Sequence, residues 1–238
     1  MSEYVSRSRR SHLSLEPHIK IGQGLEKKVR LASIIAEGLE IDDGASLWTI
    51  FQPFGDELAA RYRDKAIGDI PGIQPARRLY HAIGIDPTKI RPSSEALLRR
   101  VIKGLSLHRI NSLVDTINFC SLSHLLPIGL YDLDRLEGET IILRAGLPGE
   151  CFEGIDKDTV HLEGRYALFD SAGAFGSPTS DSLRASISGT TRRSLTVIFA
   201  PYEMDLKTLQ GHALFTAQEI GRFGGGHPET RILEIVGR

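Results

Sequence analysis

Cysteine is scarce in this 238-residue sequence, which contains only Cys120 and Cys151 and no C-x-x-C pair. The sequence therefore gives no sign of a disulfide framework or a zinc site, and it favours a reducing environment. An excess of charge is also missing, because the formal net charge is −1. That balance argues against a protein that coats nucleic acid through bulk positive charge, although it leaves room for a local basic patch.

Long apolar runs are absent as well. No segment approaches the roughly 18 apolar residues of a membrane-spanning helix, and residues 1–17 lack the apolar core of a secretory signal. We therefore expect a cytoplasmic protein without a membrane partner. Residues 1–17, with Arg7, Arg9 and Arg10, are typical of a flexible tail, and the alternative is a phosphate-binding arm. Residues 18–238 are then expected to form a single domain.

Hydrophobic periodicity predicts helices early in the chain and strands late. Helices are predicted at 56–66 (capped by Asp56), at 75–83, from Ser93 or Ser94 to Gly104, at 110–124 and at 205–223. Strands are predicted at 29–41, 140–145, 166–170, 195–200 and 231–236, with a long Ser/Thr/Gly-rich loop at 171–191. This order indicates an α+β fold, in which N-terminal helices are followed by a mainly antiparallel sheet.

Three polar residues share one face of the predicted helix 110–124. Asn111, Asp115 and Asn118 follow an i, i+4, i+7 spacing opposite an apolar stripe. Asn and Asp are unfavourable inside helices, because their side chains compete for backbone hydrogen bonds. Their concentration predicts a solvated face, a polar network that ties the helix to the next loop, or the wall of a pocket that holds a polar ligand. The spacing alone leaves these interpretations open.

Several common site motifs are missing. The sequence has no P-loop, no G-x-G-x-x-G after a strand, no G-x-S-x-G and no H-E-x-x-H, and its eight histidines show no metal-ligand spacing. We therefore expect no metal and no other cofactor.

The segment 91–138 carries an ordered set of motifs. They are Arg109-Ile110-Asn111, Val114-Asp115-Thr116-Ile117-Asn118, Pro127, Tyr131-Asp132, Leu136 and Gly138, followed by Leu143-Arg144-Ala145, Gly149-Glu150 and a strand ending in Asp170. Together they resemble the B3/4 domain, which is the tRNA-editing domain of the phenylalanyl-tRNA synthetase beta subunit. The resemblance covers about residues 75–202, and the pattern at 93–100 is similar to freestanding members of that family.

The resemblance implies a mixed α+β domain that hydrolyses the ester of a mischarged tRNA. Since the chain is too short for a synthetase catalytic module, it implies a freestanding protein that acts on aminoacyl-tRNA in trans, with water as the nucleophile and with tRNA rather than DNA as the partner. The alternative is a module without catalysis that binds tRNA, an amino acid or a peptide in the same pocket.

The resemblance also places candidate site residues. Asp115 and Asn118 are the candidate catalytic residues. The candidate substrate-binding residues are Asn111, Gly129, Asp181, Arg184 and Thr190. Two departures favour the binding module, since Gly129 stands where the synthetases have His, and the segment 195–198 lacks their Glu. Gly129 either makes room for a larger ligand or is a turn glycine, whereas the hydroxyl-rich loop 171–191 favours hydrolysis because it could position water.

Basic residues cluster near the same segment. Arg99, Arg100, Lys103 and Arg109 are the candidate tRNA contacts, because phosphate contacts supply most of the affinity for nucleic acid. The alternative is a solvated helix face. His124 either substitutes for the missing His or simply interacts with the C-terminal dipole of its helix.

Overall fold

A computed structural model of the protein describes residues 16–156 and 158–237. The described helices are α1 (Ala45–Tyr62), α2 (Gln74–Ala82), α3 (Ser93–Ile102), α4 (Ser112–His124) and α5 (Leu206–Phe223). The described strands are β1 (His18–Ile21), β2 (Val29–Leu39), β3 (Ile128–Asp132), β4 (Thr140–Ala145), β5 (Cys151–Glu153), β6 (Thr159–His161), β7 (Tyr166–Asp170), β8 (Gly173–Gly176), β9 (Arg193–Pro201) and β10 (Gly226–Val236). The predicted arginine-rich tail lies outside the described residues, apart from Glu16 and Pro17.

Two four-stranded sheets carry the fold. One has the order β1-β4-β7-β8 and is antiparallel except for the parallel pair β1–β4. The other has the order β10-β2-β9-β3 and is antiparallel throughout. A short hairpin of β5 and β6 stands beside them. The α+β class and the mainly antiparallel pairing are confirmed, although β1 and β2 precede the first helix.

Strand β9 divides the core between two layers. Because side chains alternate along a strand, Leu195 and Val197 enter a cluster with the first sheet and α2, whereas Ile198 and Ala200 face α4 and α5. A third cluster joins α1, α3 and α4 around Phe51 and Phe119. Helix α4 therefore packs on both the second sheet and the helical layer, and its C-terminal end leads directly into β3.

The predicted elements are largely present, and the differences have local causes. The helix predicted at 56–66 is wrong at its start, because the buried face of α1 already begins with Leu47 and Phe51. Asp56 is not a cap and instead accepts a hydrogen bond from the Gln52 amide at 3.0 Å. The last strand begins earlier than predicted, at Gly226. No helix in the described ranges is long and apolar enough to cross a membrane.

The predicted loop 171–191 is more ordered than its composition suggests. It contains β8, and single β-bridges join Gly154 to Ser182 and Gly176 to Asp181. Helix α3 also starts without the expected side-chain cap, since Pro92 takes the cap position.

Candidate functional site

A cleft of about 520 Å³ lies between the helices and the turns of the second half of the chain. This volume is in the usual range for a small-molecule site. One wall comes from α3, α4 and the start of β3, and the other comes from the turns 154–158 and 177–181. The lining residues are Ser93, Leu97, Ile117, Asn118, Ser121, Pro127, Ile128, Gly154, Ile155, Asp156, Asp158, Val160, Ser177, Pro178, Thr179, Ser180 and Asp181.

The turn 177–181 is closed by its own hydrogen bonds. The Ser177 hydroxyl accepts from the Ser180 backbone N–H at 3.0 Å and from the Thr179 N–H at 3.2 Å. The Tyr80 hydroxyl, from α2, donates to the Pro178 carbonyl at 2.6 Å. Short-range bonding of this kind fixes a turn without further packing. Asp181 therefore leaves the turn in a defined position at the cleft wall.

Asp181 is the most unusual polar group in the cleft. Its Oδ1 is buried and has no hydrogen-bond partner within the described residues. Burial raises the pKa of Asp181 to about 7, and the nearby Tyr131 hydroxyl acts in the opposite direction. No described cation contributes to this pKa. A carboxyl group in a cleft with such a pKa is a candidate general base or a partner for a ligand cation.

Asn118 lines the same cleft from α4. It is half-buried, and among the described residues its amide makes no side-chain hydrogen bond. Asp156 and Asp158, from the turn between β5 and β6, add two more carboxylates to the lining. The cleft can therefore offer an amide donor on one wall and proton acceptors on the other.

Asn111 and Asp115 do not reach the cleft, which corrects the expectation that they line a pocket with Asn118. Asn111 caps α4, because its Oδ1 accepts from the Val114 N–H at 2.9 Å. Asp115 is fully buried and accepts from Trp48 Nε1 at 2.8 Å and from the Ile110 N–H at 3.0 Å. Burial raises the pKa of Asp115, and these two bonds counteract the shift.

The other predicted substrate-binding residues also lie elsewhere. Arg184 forms an ion pair of 3.0 Å with Asp170, whose side chain is fully buried. Thr190 is exposed, with its hydroxyl 3.0 Å from that of Ser188. Gly129 is buried, and the Tyr131 ring fills the space beside it. Of the predicted site residues, Asn118 and Asp181 are the two that line the cleft.

The predicted basic cluster separates into three parts. Arg99 and Lys103 border a concavity of about 170 Å³ together with Lys65, which lies in the turn after α1. Arg100 donates to the Ser106 carbonyl at 2.8 Å, and so supports the loop after α3. The guanidinium of Arg109 lies 5.5 Å from the centre of the Trp48 ring.

His124 does not replace the missing histidine. Its Nε2 lies 3.1 Å from the Thr216 hydroxyl, and its ring stacks on that of His212 with 4.2 Å between centres. Burial lowers the pKa of His124 to about 3. No group of three metal-ligating side chains occurs in the part of the chain that the structure describes.

Sequence reasoning did not single out Tyr131, Asp156 and Asp158. Tyr131 was visible only as part of a motif. The two aspartates on either side of position 157 are the signal in the sequence for the acidic wall of the cleft.

The B3/4 domain family model matches residues 75–203, more than half of the chain. The phenylalanine–tRNA ligase beta subunit of Geobacter sulfurreducens is 34% identical over 77 residues, and that of Solibacter usitatus is 29% identical over 96 residues. These matches cover 32% and 40% of this chain, but only 10% and 12% of the two relatives. An N-terminal fragment of the phenylalanyl-tRNA synthetase beta subunit from Pyrococcus horikoshii aligns over 90% of this chain and 50% of its own, with a TM-score of 0.44 and 13% identity.

Proposed function

Since this chain belongs to the B3/4 domain family, we propose that it is an aminoacyl-tRNA deacylase that acts in trans on mischarged tRNA. The observation that carries the proposal is the Asp181 carboxyl group, which lines the cleft and has a pKa raised to about 7, and whose Oδ1 has no partner among the described residues. The tRNA part of the proposal is supported by the relatives, which are subunits of a tRNA ligase.

In the proposed reaction, Asp181 acts as the general base. It takes a proton from water while the water oxygen attacks the ester carbonyl, and the Asn118 amide donates to the developing oxyanion. Collapse of the intermediate breaks the ester bond, and the ribose hydroxyl leaves with the proton that Asp181 had taken. The products are the free amino acid and uncharged tRNA. Asp156 and Asp158 suit the cationic amine of the aminoacyl group, because a carboxylate is the natural partner of an ammonium.

Lys65, Arg99 and Lys103 are the proposed phosphate contacts. Arg99 and Lys103 lie on or just after α3, whose first residues also line the cleft. The ten residues of α3 span about 15 Å, so a short stretch of a single-stranded acceptor end could reach from the cleft to this patch. The patch would supply affinity that is independent of sequence and sensitive to salt.

A binding module without catalysis is the second candidate. Asp181 also supports this candidate, because its carboxylate, whose Oδ1 has no partner among the described residues, could hold a ligand ammonium and transfer no proton.

A deacylation screen on a panel of mischarged tRNAs distinguishes the two. We expect hydrolysis of at least one aminoacyl-tRNA above the spontaneous rate, a loss of about a hundredfold in Asp181→Asn, and no change in the matched control Asp69→Asn, which alters an exposed aspartate outside the cleft. Binding of tRNA without faster hydrolysis across the panel would establish the binding module instead.

A further inference from the structure

Two glycines form a slot that holds the ring of Tyr131. A Cβ atom at Gly129 would lie 2.7 Å from Cζ of Tyr131, and one at Gly176 would lie 2.5 Å from the same atom. Both distances are far shorter than van der Waals contact. Neither glycine has a positive φ, so the requirement is for space and not for an unusual backbone conformation.

The slot fixes the ring of Tyr131 and therefore the position of its hydroxyl oxygen. Only the direction of the O–H bond can still change. The Tyr131 ring is fully buried, and it meets Phe175 edge-on with 4.8 Å between the ring centres. Within the described residues, neither the hydroxyl nor Asp181 Oδ1 has a hydrogen-bond partner. The two residues are neighbours, because the hydroxyl lies against Gly176 and Gly176 forms a β-bridge with Asp181. Buried polar atoms without partners are rare and call for a reason.

We propose that the Tyr131 hydroxyl is a positioning group for Asp181, and that Gly129 and Gly176 are the residues that admit it. The inference rests on the proposed function, in which Asp181 takes the proton from water. The fixed phenol limits the orientations of the Asp181 carboxylate, and it donates to that carboxylate when the base is charged. Tyr131 is therefore a residue of the site that acts through Asp181 and does not touch the substrate.

The protonation states agree with this role. Burial, followed by the nearby Asp181, raises the pKa of Tyr131 well above its usual value, so the hydroxyl keeps its proton and remains a donor. Among the described residues, the other titratable groups around Asp181 are Tyr80 from α2, whose hydroxyl is bonded to Pro178, and the two aspartates of the turn 154–158. Burial raises the pKa of Asp181, and Tyr131 acts in the opposite direction.

The substitution Tyr131→Phe removes the donor and keeps the ring. Because the proposed hydrogen bond would favour the charged carboxylate, its loss should raise the pKa of Asp181 by about one unit. The acid limb of the pH–rate profile should move to higher pH by the same amount. Tyr166→Phe is the matched control, because it removes a phenol hydroxyl from β7 that lies outside the cleft lining.

The test is a carboxyl ¹³C NMR titration of the full chain, with the Asp181 resonance assigned by its loss in Asp181→Asn. We expect the Asp181 midpoint to rise in Tyr131→Phe and to stay at the wild-type value in Tyr166→Phe. An Asp181 midpoint that is unchanged in folded Tyr131→Phe would overturn the proposal, even if mischarged tRNA is hydrolysed. A raised midpoint without hydrolysis of any tRNA in the panel would support the coupling of the two residues and would contradict the deacylase function alone.

Discussion

The indole N–H of Trp48 donates to Oδ2 of Asp115 at 2.8 Å, and this bond ties α4 to α1 inside the protein. The Ile110 N–H donates to the same carboxylate at 3.0 Å. Asp115 is fully buried, accepts from these two part-buried donors and does not line the cleft. It therefore supports the helix that carries Asn118.

The substitution Asp115→Ala should therefore lower the free energy of unfolding and have little effect on the deacylation rate. It leaves the part-buried Trp48 and Ile110 donors without their acceptor, and we expect a loss of about 1–3 kcal/mol in the free energy of unfolding. Chemical denaturation measures this loss, with Asp69→Ala as the exposed control. The deacylation rate per folded molecule should stay within a fewfold of wild type, and a selective loss of rate at unchanged stability would return Asp115 to the catalytic site.

The raised pKa of Asp181 makes stability depend on pH. The carboxyl group takes up a proton more readily in the folded state, with a pKa of about 7, than in the unfolded chain, with an ordinary value near 3.8. Its contribution to stability is therefore present at low pH and is lost as the pH rises between about 4 and 7. The Asp181→Asn variant lacks this contribution.

Thermal melts at several pH values test this dependence. We expect the Tm of wild type to fall relative to that of Asp181→Asn between pH 4 and pH 7, because other titrating groups affect both proteins alike. A constant difference in Tm over this range would show that Asp181 titrates normally.

The patch of Lys65, Arg99 and Lys103 predicts the salt dependence of tRNA binding. Charge reversal of one of these residues should weaken binding and reduce the slope of log K against log salt by about one per lost phosphate contact. Arg165→Glu is the control, because Arg165 is exposed and does not border the concavity. Equal slopes for wild type, Lys103→Glu and Arg165→Glu would place the tRNA elsewhere on the surface.

The sequence predicts the fold better than it predicts the site. Strands such as β4 and β7 follow their local composition, and α5 begins at the cap Asp205, whose side chain accepts from the Thr208 N–H. The site depends instead on contacts that are distant along the chain. Helical spacing places Asn111, Asp115 and Asn118 on one face, but it does not show that this face meets Trp48 near its start and the cleft near its end.

Gly129 is a second case in which a contact that is distant along the chain decides the role of a residue. The sequence shows that position 129 lacks a side chain, and this lack is compatible with two interpretations: space for a larger ligand, or a turn. The structure fills the space with the Tyr131 ring, which is two residues away on the same face of β3 and is also enclosed by Gly176. That arrangement depends on a strand some 45 residues further along the chain, so no local pattern reveals it.

The pH dependence of deacylation tests the central claim most directly. The measurement is the single-turnover rate on a mischarged tRNA that the protein hydrolyses, corrected for spontaneous hydrolysis, for wild type and Asp181→Asn between pH 5 and pH 9. Because the base acts in its charged form, the wild-type rate should rise with a midpoint near the Asp181 pKa of about 7 and then level off. The variant should be slower by about a hundredfold and lack this limb. A variant with the wild-type rate and the wild-type pH profile would contradict the assignment of Asp181 as the general base.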